Sequence, residues 1–421
     1  MSDDEHVAPG VGAWRLIRDA RNMQTARLEN GSTRVKPRLV GLDLLRLLAI
    51  LMVLGRHLWP SPPRLPLGLA SFFRTWECGG WVGVDLFFVL SGFLVSGLLF
   101  TEYKSRGRLS VGRFYTRRGW KIYPPLFALV AFTVLINSIH GQRTARWPLF
   151  SDLTFLQSYS YGLWGHTWSL AVEEHFYLIL PLTLLLLLKL NSHSSRPFQP
   201  TLGVAACVGA ACLILRLFNW HLRHSYSFFT HIAPSHLRFD SLFFGVAISY
   251  AYHFHTTEFV ERLTPWRRGL IAGGVLLLSP AFIFPVDTTS WMFTVGLTVF
   301  YIGSGMLLVG TLLCNIPQSR IVVFLATIGA YSYSIYLWHL PVISWGIPRL
   351  EMVLGRQLGF GARVGAYLLG SLGVGIITAK IVEFPALRLR DYWFPPRSKG
   401  PIEEVSKQTL PLEYAQSVVG S

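Results

Sequence analysis

The chain has 421 residues, of which 51% are hydrophobic and only 14% charged, and its mean hydropathy is +0.41. Globular domains typically carry about 25% charged residues, so this composition excludes a water-soluble enzyme, a disordered chain and a collagen-like fibre, and points to a membrane protein. A net charge of +16 would suggest a nucleic-acid ligand in a soluble protein. In a polytopic one Lys and Arg collect in cytoplasmic loops, so no nucleic-acid partner is expected.

Residues 1–38 are polar and lack an apolar core followed by a cleavage site. They read as a cytoplasmic tail, not a signal peptide, with a short amphipathic stretch at Trp14 to Met23. A spanning helix needs about 20 mostly apolar residues, and the segments 39–59, 80–100, 122–139, 168–190, 202–220, 238–254, 269–286, 291–314, 322–345 and 363–383 approach this. The expected fold class is all-α, a polytopic membrane bundle of about ten transmembrane helices. The stretch from Pro148 to Trp164 is a candidate interfacial or re-entrant helix. Cys78, Cys207, Cys212 and Cys314 lack metal-ligand spacing, so neither a disulfide framework nor a metal site is implied.

The segment TEYKSRGRLSVGRFYTRRGWK at 101–121 has seven basic residues against Glu102, and the excess places it in the cytoplasm. An even number of spans returns the C-terminal tail to the same side. The expected organisation is a cytoplasmic tail (1–38), a transmembrane domain (39–385) and a second cytoplasmic tail (386–421), in a bacterial inner membrane.

Ionisable residues within spans are the informative ones, because a charge in hydrocarbon is unfavourable unless paired or functional. The first span carries Asp43, Arg46, Arg56 and His57. Arg46 and His57 are eleven residues apart, hence on one helix face about 16 Å from each other. The plainer reading pairs Arg46 with Asp43 at i, i+3 and leaves Arg56 and His57 at the outer interface. Asp85 is the ionisable residue of the second span and needs a partner from another helix; Gly92 and Ser96 beside it suit close helix packing. In the fourth span Ser169, Glu173 and Tyr177 follow at i, i+4 steps on one face. Glu174 and His175 lie on neighbouring faces, where a carboxylate also suits the helix start. Arg238 and Asp240 are too close in sequence to face each other and reach different partners. His339, on an apolar span with Ser332, Ser334 and Tyr336, reads as structural when its span is taken alone.

Taken together, Arg46 with His57 ten residues beyond it, GVDLFFVLSGFL at 83–94, RFYTRRGWKIYP at 113–124, TWSLAVEEHFYLILP at 167–181, LRFDSLFFG at 237–245, YSYSIYLWHLP at 331–341 and EFP at 383–385 form an ordered set. It resembles the membrane acyltransferase 3 family over roughly residues 38 to 385. The resemblance implies transfer of an acyl group, in first place acetyl from acetyl-CoA, to a hydroxyl of a carbohydrate or a glycosylated small molecule. It departs at Lys121, where the family often has Arg, and lysine offers phosphate a charge without bidentate geometry. Many bacterial relatives add a C-terminal hydrolase-like domain. Here the expectation is direct transfer or a separate extracytoplasmic transferase partner.

Transfer from a thioester to a hydroxyl requires a base, a stabiliser of the tetrahedral oxyanion and exclusion of water. On this reading His57 is the general base, Glu173 or Asp85 orients it, Glu174 is a further catalytic candidate, and Arg46 meets the donor arm or the oxyanion. The phosphates of acyl-CoA meet Arg113, Arg117, Arg118 and Lys121, with Tyr123 of the same motif in the donor-binding set. His57 and Glu173 are expected in one cavity, with Asp85 as competing partner, at the end of a tunnel opening near Arg117 and Arg118. The competing class is a transporter or flippase for a sugar-containing substrate, since intramembrane charges also mark such pathways. No inverted repeat is visible to favour it. A non-catalytic scaffold is opposed by the presence of both Arg46 and His57.

Overall fold

The computed structural model describes residues 40–58 and 65–395. The N-terminal tail with its amphipathic stretch, and residues 396–421, lie outside the described residues. Every regular element among those described is helical. In an apolar solvent the backbone has to satisfy its own N–H and C=O groups, and a helix does so within one segment. In chain order the helices are α1 (Val40–Arg56), α2 (Leu67–Gly79), α3 (Gly83–Arg106), α4 (Val111–Ile139), α5 (Arg146–Leu153), α6 (Trp168–Leu190), α7 (Thr201–Arg223) and α8 (Phe239–Phe254). After these come α9 (Thr256–Leu263), α10 (Arg267–Leu278), α11 (Val295–Leu313), α12 (Arg320–Ala330), α13 (Ser332–Pro341), α14 (Ile347–Leu354), α15 (Phe360–Thr378) and α16 (Phe384–Trp393), with short helical turns between several of them.

Six of the described segments are long and apolar enough to cross a membrane: Leu67–Arg106, Val111–Ile139, Gly165–Leu190, Thr201–Arg223, Val295–Leu313 and Phe360–Trp393. Arg320–Ala330 with Ser332–Leu354, bent by 61°, makes a seventh if counted as one span. Among the described residues this count does not confirm the expected ten. The other three expected segments are helices of 17, 16 and 12 residues, α1, α8 and α10. Pro280, at the start of the 3-10 turn Ser279–Phe282, follows the end of α10 and cannot continue its hydrogen bonding. α8 begins only after the turn Ser235–Leu237. The stretch 148–164 holds the short α5 and then turns, with Phe155 at φ 58. At the other end α15 runs through a π-helical turn, Ala379–Glu383, into α16.

α3 is the centre of the bundle and α7 lies at its edge, since 78% of the apolar window containing α3 is buried against 17% for α7. The exposed side of α7 carries Leu215, Phe218 and Leu222, which suits contact with lipid chains. α3 and α8 approach closely through Gly92 and Gly245. A Cβ on Gly92 would collide with the carbonyl of Leu242, and one on Gly245 with the carbonyl of Val89. Small residues at this crossing bring the two backbones together and carry Asp85 and Arg238 into reach. α3 ends at Gly107, whose φ of 66° closes a left-handed cap with its N–H on the Tyr103 carbonyl at 2.7 Å.

Gly245→Val tests this crossing. Overpacking a filled interface typically destabilises by about 1–3 kcal/mol, so the detergent-solubilised variant should melt at a clearly lower temperature than the parent. An unchanged melting temperature would show that the backbones are not in contact there.

Candidate active site

α1 places its polar groups at its two ends, and the bundle builds a different cluster around each. At the end bearing the basic segment 101–121, Arg46 donates to Asp43 at 2.9 Å, the plainer of the two sequence readings. Around it the side chains come from α3, α4, α6, α13, α16 and the turn Ala379–Glu383. Lys121 pairs with Glu383, which also accepts from Ser334 Oγ at 2.7 Å. Tyr123 donates to Glu174 at 2.5 Å. Glu173 accepts from Tyr177 at 3.0 Å, and the Tyr177 hydroxyl lies 2.5 Å from Ser91 Oγ. Arg118 lies over the rings of Tyr177 and Phe114, at 5.5 and 5.9 Å, and has no hydrogen-bond partner among the described residues. Arg113 and Arg117 bond the backbone carbonyls of Pro395 and Phe394, and Arg117 also meets Asp391 at 3.1 Å. The basic motif is thus assembled against the C-terminal segment, with Arg118 turned to the carboxylates of α6.

At the opposite end His57 closes α1. Its backbone N–H bonds Leu54 instead of Val53, so the last turn tightens and the Val53 carbonyl is left open. The imidazole fills that vacancy, with Nδ1 3.1 Å from the Val53 oxygen. A carbonyl only accepts, so Nδ1 carries the proton and Nε2 keeps its lone pair. The ring of His339 is 4.9 Å from that of His57, and the ring of His166 is 4.8 Å from that of His339. Both are fixed in the same way. His339 donates to the Tyr336 carbonyl and His166, through Nε2, to the Leu337 carbonyl at 3.1 Å. Pro341, four residues after Leu337, has no N–H to offer that carbonyl, which is how it comes to be open for His166. The Tyr336 hydroxyl donates to the His166 carbonyl at 2.7 Å and meets Ser169 Oγ at 2.5 Å.

His57, His166 and Tyr336 line a cavity of about 440 Å³, together with Trp81, Trp168, Tyr226, Phe228, Arg56 and Arg238. This is within the usual size for a small-molecule site, apolar-walled with a few polar groups. Glu77 lines it, whereas Glu173 and Asp85 do not. The expected junction of His57 with Glu173 is therefore not made through this cavity. Glu173 lies seven residues beyond His166, about 10 Å along the helix, and turns to Tyr177. Asp85 is joined to Arg238 at 2.7 Å, and Asp240 to Arg216 at 2.7 Å. The tautomer of His57 is held by a backbone carbonyl in place of a carboxylate. Arg46 stands about three helical turns from His57.

His166 and Trp81, which line this cavity, and His339, whose ring stands against those of His57 and His166, were not singled out as site residues in the sequence. His166 lies in the turn before α6, His339 reads as structural on its own span, Trp81 has no local signal of function, and Arg238 was read only as a charge needing a partner. Among the described residues no group of three or more His, Cys, Asp or Glu side chains is placed to hold a metal.

The segment bearing His166 is anchored by buried Asp152, which accepts from the Leu163 N–H at 2.7 Å and from Thr167 Oγ1 at 2.9 Å. Burial pushes the Asp152 carboxyl up to about 6, against the lowering effect of those two bonds. Asp152→Ala leaves the Leu163 N–H without its acceptor, while Thr167 Oγ1 keeps the Trp164 carbonyl at 2.8 Å, a loss of about 1–3 kcal/mol for the unmatched group. A lower melting temperature with reduced turnover is expected, and full stability in a detergent melt would show that Asp152 does not hold this segment.

The sequence profile of the acyltransferase 3 family, described as an acyltransferase domain, matches residues 39–380. The chain is similar to the peptidoglycan O-acetyltransferase OatA of Listeria monocytogenes, with 27% identity over 339 residues, 74% of this chain and 50% of the relative. It is similar also to the O-acetyltransferase OatA of Staphylococcus aureus, with 27% identity over 328 residues, 72% of this chain and 50% of the relative. The chain spans about half the length of the curated relatives it matches. No solved structure matches it significantly. With its long apolar helices this is a multi-pass membrane protein, and the chain belongs to the acyltransferase 3 family.

Proposed function

We propose that the chain is an integral-membrane O-acyltransferase that moves an acyl group, in first place acetyl, from acyl-CoA to a hydroxyl of a carbohydrate or glycosylated acceptor. The observation that carries this reading is the His57 imidazole, held by Val53 with its Nε2 lone pair free, on a cavity of about 440 Å³. That is the disposition of a general base. The basic cluster at the other end of α1 suits a polyanionic donor, and the names of the relatives favour an O-acetyl product, on peptidoglycan in one of them.

On this reading the basic end faces the cytoplasm, where the CoA phosphates meet Arg118 first. Arg113 and Arg117 hold partners on the C-terminal segment and Lys121 holds Glu383, so they contribute field more than direct bonds. The donor arm runs toward His57 over the ~16 Å that separate the two ends of the Arg46–His57 face. The acceptor hydroxyl lies in the cavity against Nε2, its sugar ring between aromatic walls. His57 takes the hydroxyl proton as the oxygen attacks the acyl carbon, and returns it to the departing thiolate.

The test is membrane vesicles containing the protein, supplied with acetyl-labelled acetyl-CoA and read for freed thiol and ester-linked label. His57→Gln should lower transfer by about 10²–10⁴ with membrane insertion unchanged. Turnover near the parent's would remove His57 as base, and no ester product from the parent would remove the acyltransferase reading.

Arg118→Gln should raise the apparent KM for acetyl-CoA on the order of 10-fold, as expected for one charge-assisted bond. The same change at Arg117 should raise it less, because Asp391 already occupies that side chain. Equal donor affinity in both variants and the parent would place the phosphates elsewhere.

A further inference from the structure

We propose that Arg238, held in place by Asp85, is the group that receives the acyl carbonyl oxygen as it becomes an oxyanion in the His57 cavity. This deepens the acyl-transfer reading and rests on it. A tetrahedral intermediate forming at His57 needs a fixed donor aimed at its oxygen. Arg46, the sequence candidate, is bonded to Asp43 at the far end of α1. Two cations line the cavity itself, Arg56 and Arg238. Arg56 is only partly buried and bonds the Glu77 carbonyl at 3.2 Å.

Arg238 differs in kind. It is 1% exposed, yet its Nε and Nη1 have no hydrogen-bond partner, while Nη2 donates to Asp85 at 2.7 Å. Phe88 and Trp168 place their rings 5.4 and 5.8 Å from the guanidinium carbon and fix its plane. The indole Nε1 of Trp81, on the same cavity, is also buried without an acceptor. Buried donors without acceptors are rare because their desolvation is uncompensated. Arg238 and Trp81 both line the cavity beside the base and both carry such donors, which marks them as partners for a ligand oxygen.

The second buried Arg–Asp pair supplies the contrast. Arg216 bonds Asp240, the Thr298 hydroxyl and the Leu237 carbonyl, leaves only Nε unmatched and does not line the cavity. Its hydrogen bonding is used within the bundle, whereas that of Arg238 is left for something that enters.

The acceptor hydroxyl oxygen bonds to the acyl carbon while its proton passes to His57 Nε2. The carbonyl π pair moves onto oxygen, where an unmatched N–H of Arg238 holds it. Collapse restores the carbonyl, breaks the carbon–sulfur bond, and the thiolate leaves with the proton from the imidazolium. Asp85 keeps the guanidinium oriented and offsets its charge in the empty site, so that the donors are preorganised.

The test uses the full chain in membrane vesicles with labelled acetyl-CoA, comparing the parent, His57→Gln, Arg238→Lys and the double variant Asp85→Leu with Arg238→Met. Replacing both members of a buried ion pair by apolar side chains commonly preserves folding. The double variant should therefore insert and melt like the parent, yet turn over about 10²–10³ more slowly at an unchanged KM for acetyl-CoA. Arg238→Lys should show a smaller loss of kcat. Parental turnover in the double variant would reduce the pair to packing and overturn the proposal. Should the double variant fail to fold, parental kcat in Arg238→Lys overturns it equally. A neutral chitotriose and an acidic oligogalacturonide, each added as acceptor, separate the alternative source of oxygen. Loss confined to the acidic acceptor would mean that Arg238 holds an acceptor carboxylate, and would overturn the proposal. No ester product and no freed thiol from the parent would defeat the acyl-transfer reading itself, a result distinct from any of these.

Discussion

Charges are costly to place in the interior of this bundle, and the arrangement of the helices follows from where their counter-charges sit. Asp85 and Asp240 are almost wholly buried and each holds an arginine from another part of the fold. Neither pair would be tolerated with one member missing. The Asp85–Arg238 contact in turn needs α3 and α8 to approach within backbone distance, which Gly92 and Gly245 permit. Electrostatics and steric fit therefore act on the same crossing, and that crossing sets one wall of the His57 cavity.

Backbone carbonyls released from helical duty organise the other wall. The tight last turn of α1 opens Val53 to His57, and Pro341 leaves Leu337 open to His166. Each is a small defect in a helix ladder, satisfied by an imidazole N–H, and each leaves the remaining ring nitrogen able to accept a proton. Helix ends and prolines in this family's motifs thus have a chemical consequence: they select tautomers without placing a charge in the low-dielectric interior. Glu383, in the π-helical turn before Pro385, shows the same pattern at the other end, where an irregular turn carries a carboxylate to Lys121 and Ser334.

What could be read from the sequence was local or compositional. The apolar segments are helices, and the i, i+3 pairing of Asp43 with Arg46 and the i, i+4 pairing of Glu173 with Tyr177 follow from helix geometry alone. The need of Asp85 for a partner was legible, but the partner's identity was not, because Arg238 is 153 positions away and nothing local encodes that meeting. Span length was overread where a proline or a turn shortens a hydrophobic run, as at α10. The expected union of His57 with Glu173 rested on clustering all ionisable groups around one cavity. The bundle satisfies the same desolvation constraint with two clusters, because hydroxyls of Tyr177 and Tyr123 serve the α6 carboxylates locally. His166 escaped notice because a turn ahead of a span carries no periodic signal.

The use of a carbonyl to orient His57 has an electrostatic corollary. A carboxylate partner both fixes the tautomer and stabilises the imidazolium formed on proton uptake. The Val53 carbonyl fixes the tautomer but brings only a dipole, and the neighbouring rings of His339 and His166 bring no negative charge while neutral. The positive charge developing on His57 is then best balanced by the negative charge developing on the substrate oxygen at the same moment. That balance holds only if the oxyanion forms close to the imidazolium and is held there, which places the demand for a fixed hydrogen-bond donor inside the His57 cavity and not at the distant end of α1. Of the two cations at that cavity, Arg238 is the one whose unmatched donors are buried, and its pairing with Asp85 offsets its charge until the oxyanion appears.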